Sequence, residues 1–251
     1  MIWDELTTTQ LDQISRNIPV LLVVAATEQH GSHLPLATDR LIGEHFAQAL
    51  HKAVPDKILV LPSVAVGCSN HHMDFPGSLS LSHEGFVRQV TEIIASVLKH
   101  GFTNIILLNS HGGNQAAAQL FVEKMGYENP KANLVLATWW RIGGKAMEAL
   151  NESGPGGTGH AGEFETSLML YIAPHLVHMD QQQKGAHNDT FPWAEGDMLN
   201  GPQVSYYRTM KEMTANGVFG DPGLASAKKG EQITVLVVNA LRQITQDMLT
   251  L

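Results

Sequence analysis

The sequence feature that most constrains the fold is an apolar run at positions 18–26, which reads IPVLLVVAA. A strand with one solvent-exposed face alternates apolar and polar residues, whereas a strand that is buried on both faces shows no such alternation. The run therefore predicts a central strand that is covered on both faces. Apolar segments at 57–66, 104–108 and 134–138 predict three further strands, although Pro62 weakens the first of these.

Segments with helical apolar spacing separate and follow the predicted strands, and the polar stretch 181–221 is expected to form loops with at most short elements. The predicted helices cover 38–50, 82–99, 114–125, 162–173 and 225–251. This alternation predicts an α/β fold, namely a three-layer α/β/α sandwich with a mainly parallel central sheet. The length of 251 residues suits a single domain that spans 1–251.

Composition and charge narrow the classes of function. With 24 acidic and 16 basic residues the net charge is −8, which disfavours binding to the phosphate backbone of nucleic acids. No apolar run approaches the roughly 20 residues that a membrane-spanning helix needs. The single cysteine, Cys68, cannot form an internal disulfide, and no secretory signal is visible, so we expect a cytoplasmic protein. The expected partner is a small-molecule substrate.

Several of the 13 histidines follow predicted strands, where ligands of parallel α/β sheets bind. After the first strand, Glu28 and His30 point the same way from an extended segment, and Asp39 begins the next helix. These three residue types predict a metal half-site. Alternatively, Asp39 only caps the helix and Glu28 pairs with a basic residue.

The third predicted strand is followed by His111 and the glycine pair Gly112-Gly113. Glycines allow a ligand to approach the backbone closely, and N–H groups at the start of the next helix suit an anion. Alternatively, this is a glycine-rich turn with an incidental histidine. Neither G-x-G-x-x-G nor G-x-x-x-x-G-K-[ST], the common nucleotide-binding motifs, occurs in the sequence.

A glycine-rich segment after the fourth strand leads to His160, Glu163 and Glu165 at the start of a helix. If the segment is helical, His160 and Glu163 share a face, and if it is extended, the two glutamates share a side. Alternatively, both glutamates only stabilise the helix N-terminus. The three carboxylates and two imidazoles at the strand ends suffice to hold two divalent ions, which together activate a water and polarise a carbonyl.

The segment after the second strand carries the adjacent histidines His71 and His72. Neighbouring residues of an extended chain point to opposite sides, so we expect one of them to line a pocket rather than both to bind metal. Cys68 has no clear base partner in the sequence, which disfavours a cysteine nucleophile.

These motifs together resemble those of the creatininase (creatinine amidohydrolase) family. They occur in order over about the first 180 residues, and their combination is specific for the family but much less so for a substrate. The matching segments are Trp3-x-Glu5-Leu6, Glu28-Gln29-His30-Gly31-x-His33-Leu34-Pro35, Thr38-Asp39, Phe75-Pro76-Gly77-Ser78-Leu79-Ser80, Asn109-x-His111-Gly112-Gly113-Asn114 and His160-Ala161-Gly162-x-x-Glu165-Thr166-Ser167.

The resemblance implies a single α/β/α domain that assembles as a homohexamer, a dinuclear centre of Zn, Mn or Fe, and hydrolysis of an amide-type C–N bond. Asp39 is the implied bridge between the ions, Glu165 is preferred to Glu163 as a ligand, and His160 matches the histidine that passes a proton to the leaving nitrogen. The metal ligands that the resemblance implies are Glu28, His30, Asp39, His111 and Glu165.

One position departs from creatininase itself, which carries a metal-binding glutamate where this chain has Gly113. The glycine pair fits the broader family, which includes a formamide hydrolase of flavin and deazaflavin pathways and a peptidase of mycofactocin maturation. This departure argues against creatinine as the substrate. The residues expected to bind the substrate are Ser78, Gly112, Gly113, His72 and Trp140.

The resulting hypothesis is a dinuclear metal-dependent amidohydrolase that cleaves a C–N bond, other than a peptide bond, of a small polar and in some cases cyclic substrate. A hydroxide that bridges the two ions attacks the carbonyl, and His160 protonates the leaving group. One alternative is a hydrolase of the same family that opens a cyclic ketone or another non-amide ring. A second alternative is a non-catalytic module that binds metal or ligand.

Overall fold

A sheet of four parallel strands forms the centre of the fold in the computed structural model, which describes residues 1–154 and 156–251. The strands lie in the order β2-β1-β3-β4, and every neighbouring pair is parallel. This arrangement confirms the predicted α/β fold with a parallel sheet. The strands are β1 (Val20–Val24), β2 (Leu59–Val60), β3 (Asn104–Asn109) and β4 (Asn133–Thr138).

Helices connect the strands and continue the chain after β4. Between 181 and 221 the described structure contains one short α-helix and brief 3₁₀ turns, as the polar composition of this stretch predicts. Among the described residues, every helix is too short or too polar to cross a membrane. The α-helices are α1 (Thr8–Asp12), α2 (Thr38–Ala53), α3 (His83–Lys99), α4 (Gln115–Glu128), α5 (Trp139–Ile142), α6 (Gly144–Glu148), α7 (Glu163–Ile172), α8 (Met210–Met213) and α9 (Ala227–Met248).

The side chains of β1 alternate between two hydrophobic clusters, one on each face of the sheet. Leu21 and Val23 pack with residues of α2, α7 and α9, whereas Val20 and Leu22 pack with residues of α3 and α4. All four side chains are 1% exposed or less. This burial on both faces explains why the run at 18–26 lacks polar residues, and it gives the fold its three layers.

The strand predicted at 57–66 is shorter in the structure, where β2 contains only Leu59 and Val60. Pro62 has no backbone N–H, so regular pairing with β1 stops just before it. The chain nevertheless stays beside β1, because Val64 N donates a hydrogen bond to Val23 O at 2.9 Å. The segment that follows is therefore delivered to the same edge of the sheet as the segment after β1.

A close approach of α2 to the sheet at Gly43 provides a test of this packing. A Cβ atom at Gly43 would lie 2.5 Å from Val23 Cγ1 and 2.8 Å from Ser110 Oγ. We expect Gly43→Ala to lower the free energy of unfolding by about 1–3 kcal/mol through overpacking. Gly126→Ala in α4 is the matched control, because its new Cβ would meet only Leu134 Cδ1, at 3.9 Å.

The control should raise the free energy of unfolding by up to about 1 kcal/mol, since alanine has the higher helix propensity. Urea unfolding of the two variants beside the wild type measures both effects. Equal changes in the two variants would contradict the packing argument.

Candidate metal centre

The strands β1 and β3 are paired up to their last residues, so the segments that follow them leave the sheet side by side. The first turns of α2 and α7 reach the same place and add two carboxylates. The five predicted metal ligands converge here, each 3% exposed or less: Glu28, His30, Asp39, His111 and Glu165.

One group of potential ligands consists of Glu28, Asp39 and His111, whose ligand atoms all lie within 4.8 Å of one another. His111 Nδ1 is 3.0 Å from Asp39 Oδ2 and 3.3 Å from Glu28 Oε1. Two carboxylates and an imidazole form a donor set that suits zinc, manganese or iron.

A second group consists of His30, His160 and Glu165, with ligand atoms again within 4.8 Å of one another. His30 Nε2 lies 3.8 Å from Glu165 Oε2 and 3.2 Å from Asp39 Oδ1. Asp39 therefore presents one oxygen to each group. A carboxylate in this position is suited to the bridging role that the resemblance implies.

Backbone carbonyls orient the two predicted histidine ligands. His30 Nδ1 lies 3.1 Å from Glu28 O, and His111 Nε2 lies 3.1 Å from Cys68 O. A ring nitrogen that faces a carbonyl oxygen must carry the hydrogen, so each ring donates from that side. The opposite nitrogens face the carboxylates and would offer a lone pair to a metal ion once it displaces the proton there, as is usual for metal-binding histidines.

Three buried carboxylate oxygens have no hydrogen-bond partner among the described residues. They are both oxygens of Glu28 and Oδ2 of Asp39. Buried oxygens of ionised groups are strongly destabilising unless a partner compensates their charge. A divalent cation between these oxygens and the free imidazole nitrogens supplies that partner, so the residues present fit a metal site.

In the metal-free protein, protonated imidazoles balance the buried carboxylates. Burial opposes ionisation of Asp39, but His30 and His111 outweigh it and hold the pKa of Asp39 well below its usual value. In turn, Asp39 and the other carboxylates raise the pKa of His30 to about 9 against the effect of burial. Burial raises the pKa of Glu165 to about 7. A bound cation would replace these protons.

The structure separates the two glutamates of α7 that the sequence left open. Because the helix begins at Glu163, the two side chains leave it in different directions. Glu165 Oε2 accepts a hydrogen bond from Ala161 N at 2.6 Å and faces His30, whereas Glu163 pairs with Lys229 of α9. Glu165 is therefore the glutamate of this helix that lies among the other predicted metal ligands.

His160 lies at the edge of the cluster and is the most exposed of these side chains, at 13%. Its Nε2 donates to Gln29 O at 2.6 Å, and its Nδ1 is 3.7 Å from Glu28 Oε1. Burial and the nearby positive charge of His30 lower the pKa of His160 to about 3. The ring is thus neutral at pH 7, with the Nδ1 lone pair directed toward the carboxylates.

A cavity of about 420 Å³ opens beside the cluster. Three of the predicted substrate-binding residues line it, namely His72, Gly112 and Trp140. Its outer walls come from the 181–221 stretch, including Phe219, which sequence analysis did not place in the site. These residues lie far from the predicted ligands in sequence, so no local pattern linked them to the site.

The other two predicted substrate-binding residues are not among the described residues that line the cavity. Ser78 Oγ accepts a hydrogen bond from Gln29 N at 3.1 Å. At Gly113, a Cβ atom would lie 2.1 Å from Cys68 O and 2.5 Å from His111 Nε2. The chain therefore has no room at Gly113 for the glutamate that creatininase itself carries there.

Sequence analysis assigned no role to Gln29, which supports two histidines of the site. Its side-chain N–H groups donate to His72 Nδ1 at 2.9 Å and to Gly217 O at 3.0 Å, and its Oε1 accepts from Gly31 N at 3.0 Å. Its backbone O accepts from His160 Nε2. The sequence did contain a signal for this role. In an extended segment, the residue between two predicted ligands points to the opposite side from them, where it can contact the residues that surround the site.

The family model for creatininase, described as creatinine amidohydrolase, matches residues 4–245. This chain belongs to the creatininase family. That match covers nearly the whole chain, so the chain belongs to a family of hydrolases. The type of bond that is hydrolysed differs among the relatives.

Curated relatives of this chain act on different substrates. A mycofactocin precursor peptide peptidase of Mycolicibacterium smegmatis is 33% identical and covers 90% of this chain and 84% of its own length. A creatinine amidohydrolase of Pseudomonas putida is 29% identical, with 91% and 88% covered. A 3-dehydro-scyllo-inosose hydrolase of Thermotoga maritima is 26% identical, with 92% and 77% covered.

Solved structures of creatininases share the fold over nearly the whole chain. A mutant creatininase complexed with creatine superimposes with a TM-score of 0.82 and 25% identity, covering 99% of this chain and 98% of that one. A manganese form of creatininase gives a TM-score of 0.80 at 25% identity, with 98% and 97% covered. The creatininase-like architecture is therefore confirmed.

Proton displacement predicts how metal affinity depends on pH. Nearby carboxylates outweigh burial and raise the pKa values of His30 (to about 9) and His111. Both rings therefore carry a second proton, and a positive charge, at neutral pH. Because a metal ion must displace these protons, we expect the affinity for Zn²⁺ or Mn²⁺ to rise with pH up to about 9. Competition with a chelator across this range measures the affinity. A constant affinity between neutral pH and that value would contradict the expectation.

The glycine pair offers a matched test of how His111 is held. We expect Gly113→Ala to lower metal affinity about 10–100-fold, because its methyl group would displace Cys68 O, which orients His111. Gly112→Ala is the control, since a Cβ atom there has no neighbour within 4 Å. Calorimetric titration with Zn²⁺ compares the two variants. The idea fails if both retain the affinity of the wild type.

Proposed function

We propose that this chain is a metal-dependent amidohydrolase that uses two divalent ions, Zn, Mn or Fe, to hydrolyse a C–N amide bond of a small polar substrate. The observation that carries the proposal is the group of buried oxygens on Glu28 and Asp39 that make no hydrogen bond, set among imidazoles at the floor of a cavity. Membership of a hydrolase family supports the same reading.

The ligand set divides into two halves that share Asp39. Glu28 and His111 would complete one half, and His30 and Glu165 the other. When bound, the ions would activate water and polarise the substrate carbonyl.

His160 is placed to move a proton between the attacking water and the leaving nitrogen. Its Nε2–H is held by Gln29 O, which fixes the ring, and Nδ1 remains available near Glu28. Nδ1 carries the lone pair that would accept a proton from the attacking water and then donate it to the departing amine. Gln29 acts through His160 as a positioning residue.

The cavity walls limit the size of the substrate. A volume of about 420 Å³ is within the usual range for small-molecule sites. The walls beyond the metal ligands are mainly apolar and come from Trp140, Met198, Leu199, Met210, Met213 and Phe219. Such walls strengthen the electrostatic interactions of the polar floor by lowering the local dielectric constant.

A second candidate is hydrolysis of a peptide bond, which the shape of the cleft favours. A further cavity of about 660 Å³ shares Met213 and Phe219 with the first, so the combined cleft admits a chain longer than a cyclic amide. Arg141 lines the first cavity and has no ion-pair partner among the described residues, which suits it to a peptide carboxylate. The 33% identical relative is itself a precursor-peptide peptidase.

The proposal predicts separate effects for ligand and proton-transfer variants. Asp39→Ala should lose both bound metal and hydrolytic activity, because it removes the shared ligand. His160→Gln should keep its metal but lose activity about 10²–10⁴-fold, since proton transfer alone is removed. His175→Gln, an exposed histidine outside the site, is the control. Elemental analysis and initial rates measure the two quantities.

The amount of bound divalent metal also tests whether the protein is a metal-dependent hydrolase at all. A wild type without stoichiometric divalent metal would overturn the proposal, and loss of metal in His160→Gln would make this residue a ligand instead. A substrate panel of lactams, formamides, carboxylate-terminated peptides and 3-dehydro-scyllo-inosose then distinguishes small-amide, peptide and cyclic-ketone hydrolysis. Bound metal with no turnover of any of them would favour a non-catalytic module.

A further inference from the structure

Glu163 is a fully buried carboxylate that the metal centre does not use. Glu152 N at 3.1 Å and Ser153 N at 2.9 Å both donate to it, as does the Ser153 hydroxyl. Lys229 Nζ, from the first turn of α9, forms an ion pair with Glu163 Oε1. One carboxylate therefore joins the start of α7, the chain that precedes the glycine-rich segment, and the C-terminal helix.

Lys229 is also buried, with 6% of the residue exposed. Its ammonium group also donates to Leu224 O at 3.0 Å and lies 3.5 Å from Glu152 Oε2. A buried ammonium and a buried carboxylate depend on each other, because either one alone is an uncompensated charge in a medium of low dielectric constant. The pair therefore ties α9 to the first turn of α7.

The chain between Ser153, which donates to Glu163, and Glu163 itself carries His160 of the candidate metal centre. It runs from Ser153 through the glycine-rich stretch to His160. Ala161 then adopts a φ of 52°, which L-residues rarely adopt, and its N–H donates to Glu165 Oε2 at 2.6 Å. A residue in a strained backbone conformation, as Ala161 is, keeps that conformation only where the surrounding structure determines it.

The helices α7 and α9 also meet very closely beside the ion pair. A Cβ atom at Gly230 would lie 2.2 Å from Ser167 O, so glycine is needed for this approach. Ser226 N, at the cap of α9, donates to Ser167 Oγ at 3.1 Å. The position of α9 therefore controls the first turn of α7, where Glu165 is located.

We propose that Lys229 and Glu163 form a clamp that positions His160 and Glu165 for the metal centre. Both are positioning residues, since neither faces the cavity. The inference rests on the proposed function, because it assumes that Glu165 binds a metal ion. It gives the C-terminal helix a role in the site that it does not contact directly.

The test compares Lys229→Met with Lys228→Met, which removes a neighbouring exposed lysine of the same helix. Calorimetric titration with Zn²⁺ should show metal affinity about 10–100-fold lower in Lys229→Met and unchanged in Lys228→Met. Lys229→Arg should recover most of the affinity, because it restores the positive charge. A clamp that only stabilises the fold would lower the melting temperature of Lys229→Met and leave the metal affinity equal to that of the control, which would overturn the proposal.

A second variant keeps the proposal testable if Lys229→Met does not fold. The double variant Lys229→Met/Glu163→Gln removes both buried charges, so it should fold and still bind metal more weakly than the wild type. Unchanged affinity in a folded double variant would overturn the clamp.

Amide hydrogen exchange of metal-free protein provides a readout that does not need the proposed function. Peptides that cover 150–162 should exchange faster in Lys229→Met or the double variant than in Lys228→Met, because Glu163, which accepts from the Glu152 and Ser153 amides, is no longer held by the ion pair. Equal exchange rates would overturn the clamp. If the wild type binds no metal and the variants still differ in exchange rate, the proposed function and the metal-positioning role are both overturned. Only a structural clamp is then left.

Discussion

The structure depends above all on the burial of three carboxylates in one small volume. Glu28, Asp39 and Glu165 are each 2% exposed or less, and isolated negative charges in such surroundings would cost more free energy than a domain has to spare. Imidazoles and a backbone N–H compensate part of this charge, but both oxygens of Glu28 still lack a hydrogen bond. A cluster of this composition is suited to cations, and its surroundings are organised accordingly.

The parallel sheet holds these charged side chains in place. Because β1 and β3 are buried on both faces and paired to their ends, the segments that follow them begin from rigid positions. Backbone carbonyls of Glu28 and Cys68 then orient the rings of His30 and His111. The apolar core thus positions the polar site, since packing fixes where each strand stops and where each ligand-bearing segment begins.

Much of this arrangement follows from local sequence patterns. The apolar run of β1 and the histidines after the strands each have a local physical cause, so they were predictable one at a time. The two glutamates of α7 were not, because helical and extended readings of 160–165 give different pairs of neighbours. Gln29 was missed for another reason: its partners, Gly217 among them, are distant in sequence.

The sequence by itself determined the α/β class, the order of the strands and long helices along the chain, and the five predicted metal ligands that converge beyond the strand ends. These properties depend on periodicity and on residue types that interact over a few positions. Only the tertiary structure decided that Glu165 faces His30 while Glu163 pairs with Lys229, and that the 181–221 stretch closes the cavity. Such choices depend on long-range packing and on the pairing of buried charges, which no local pattern records.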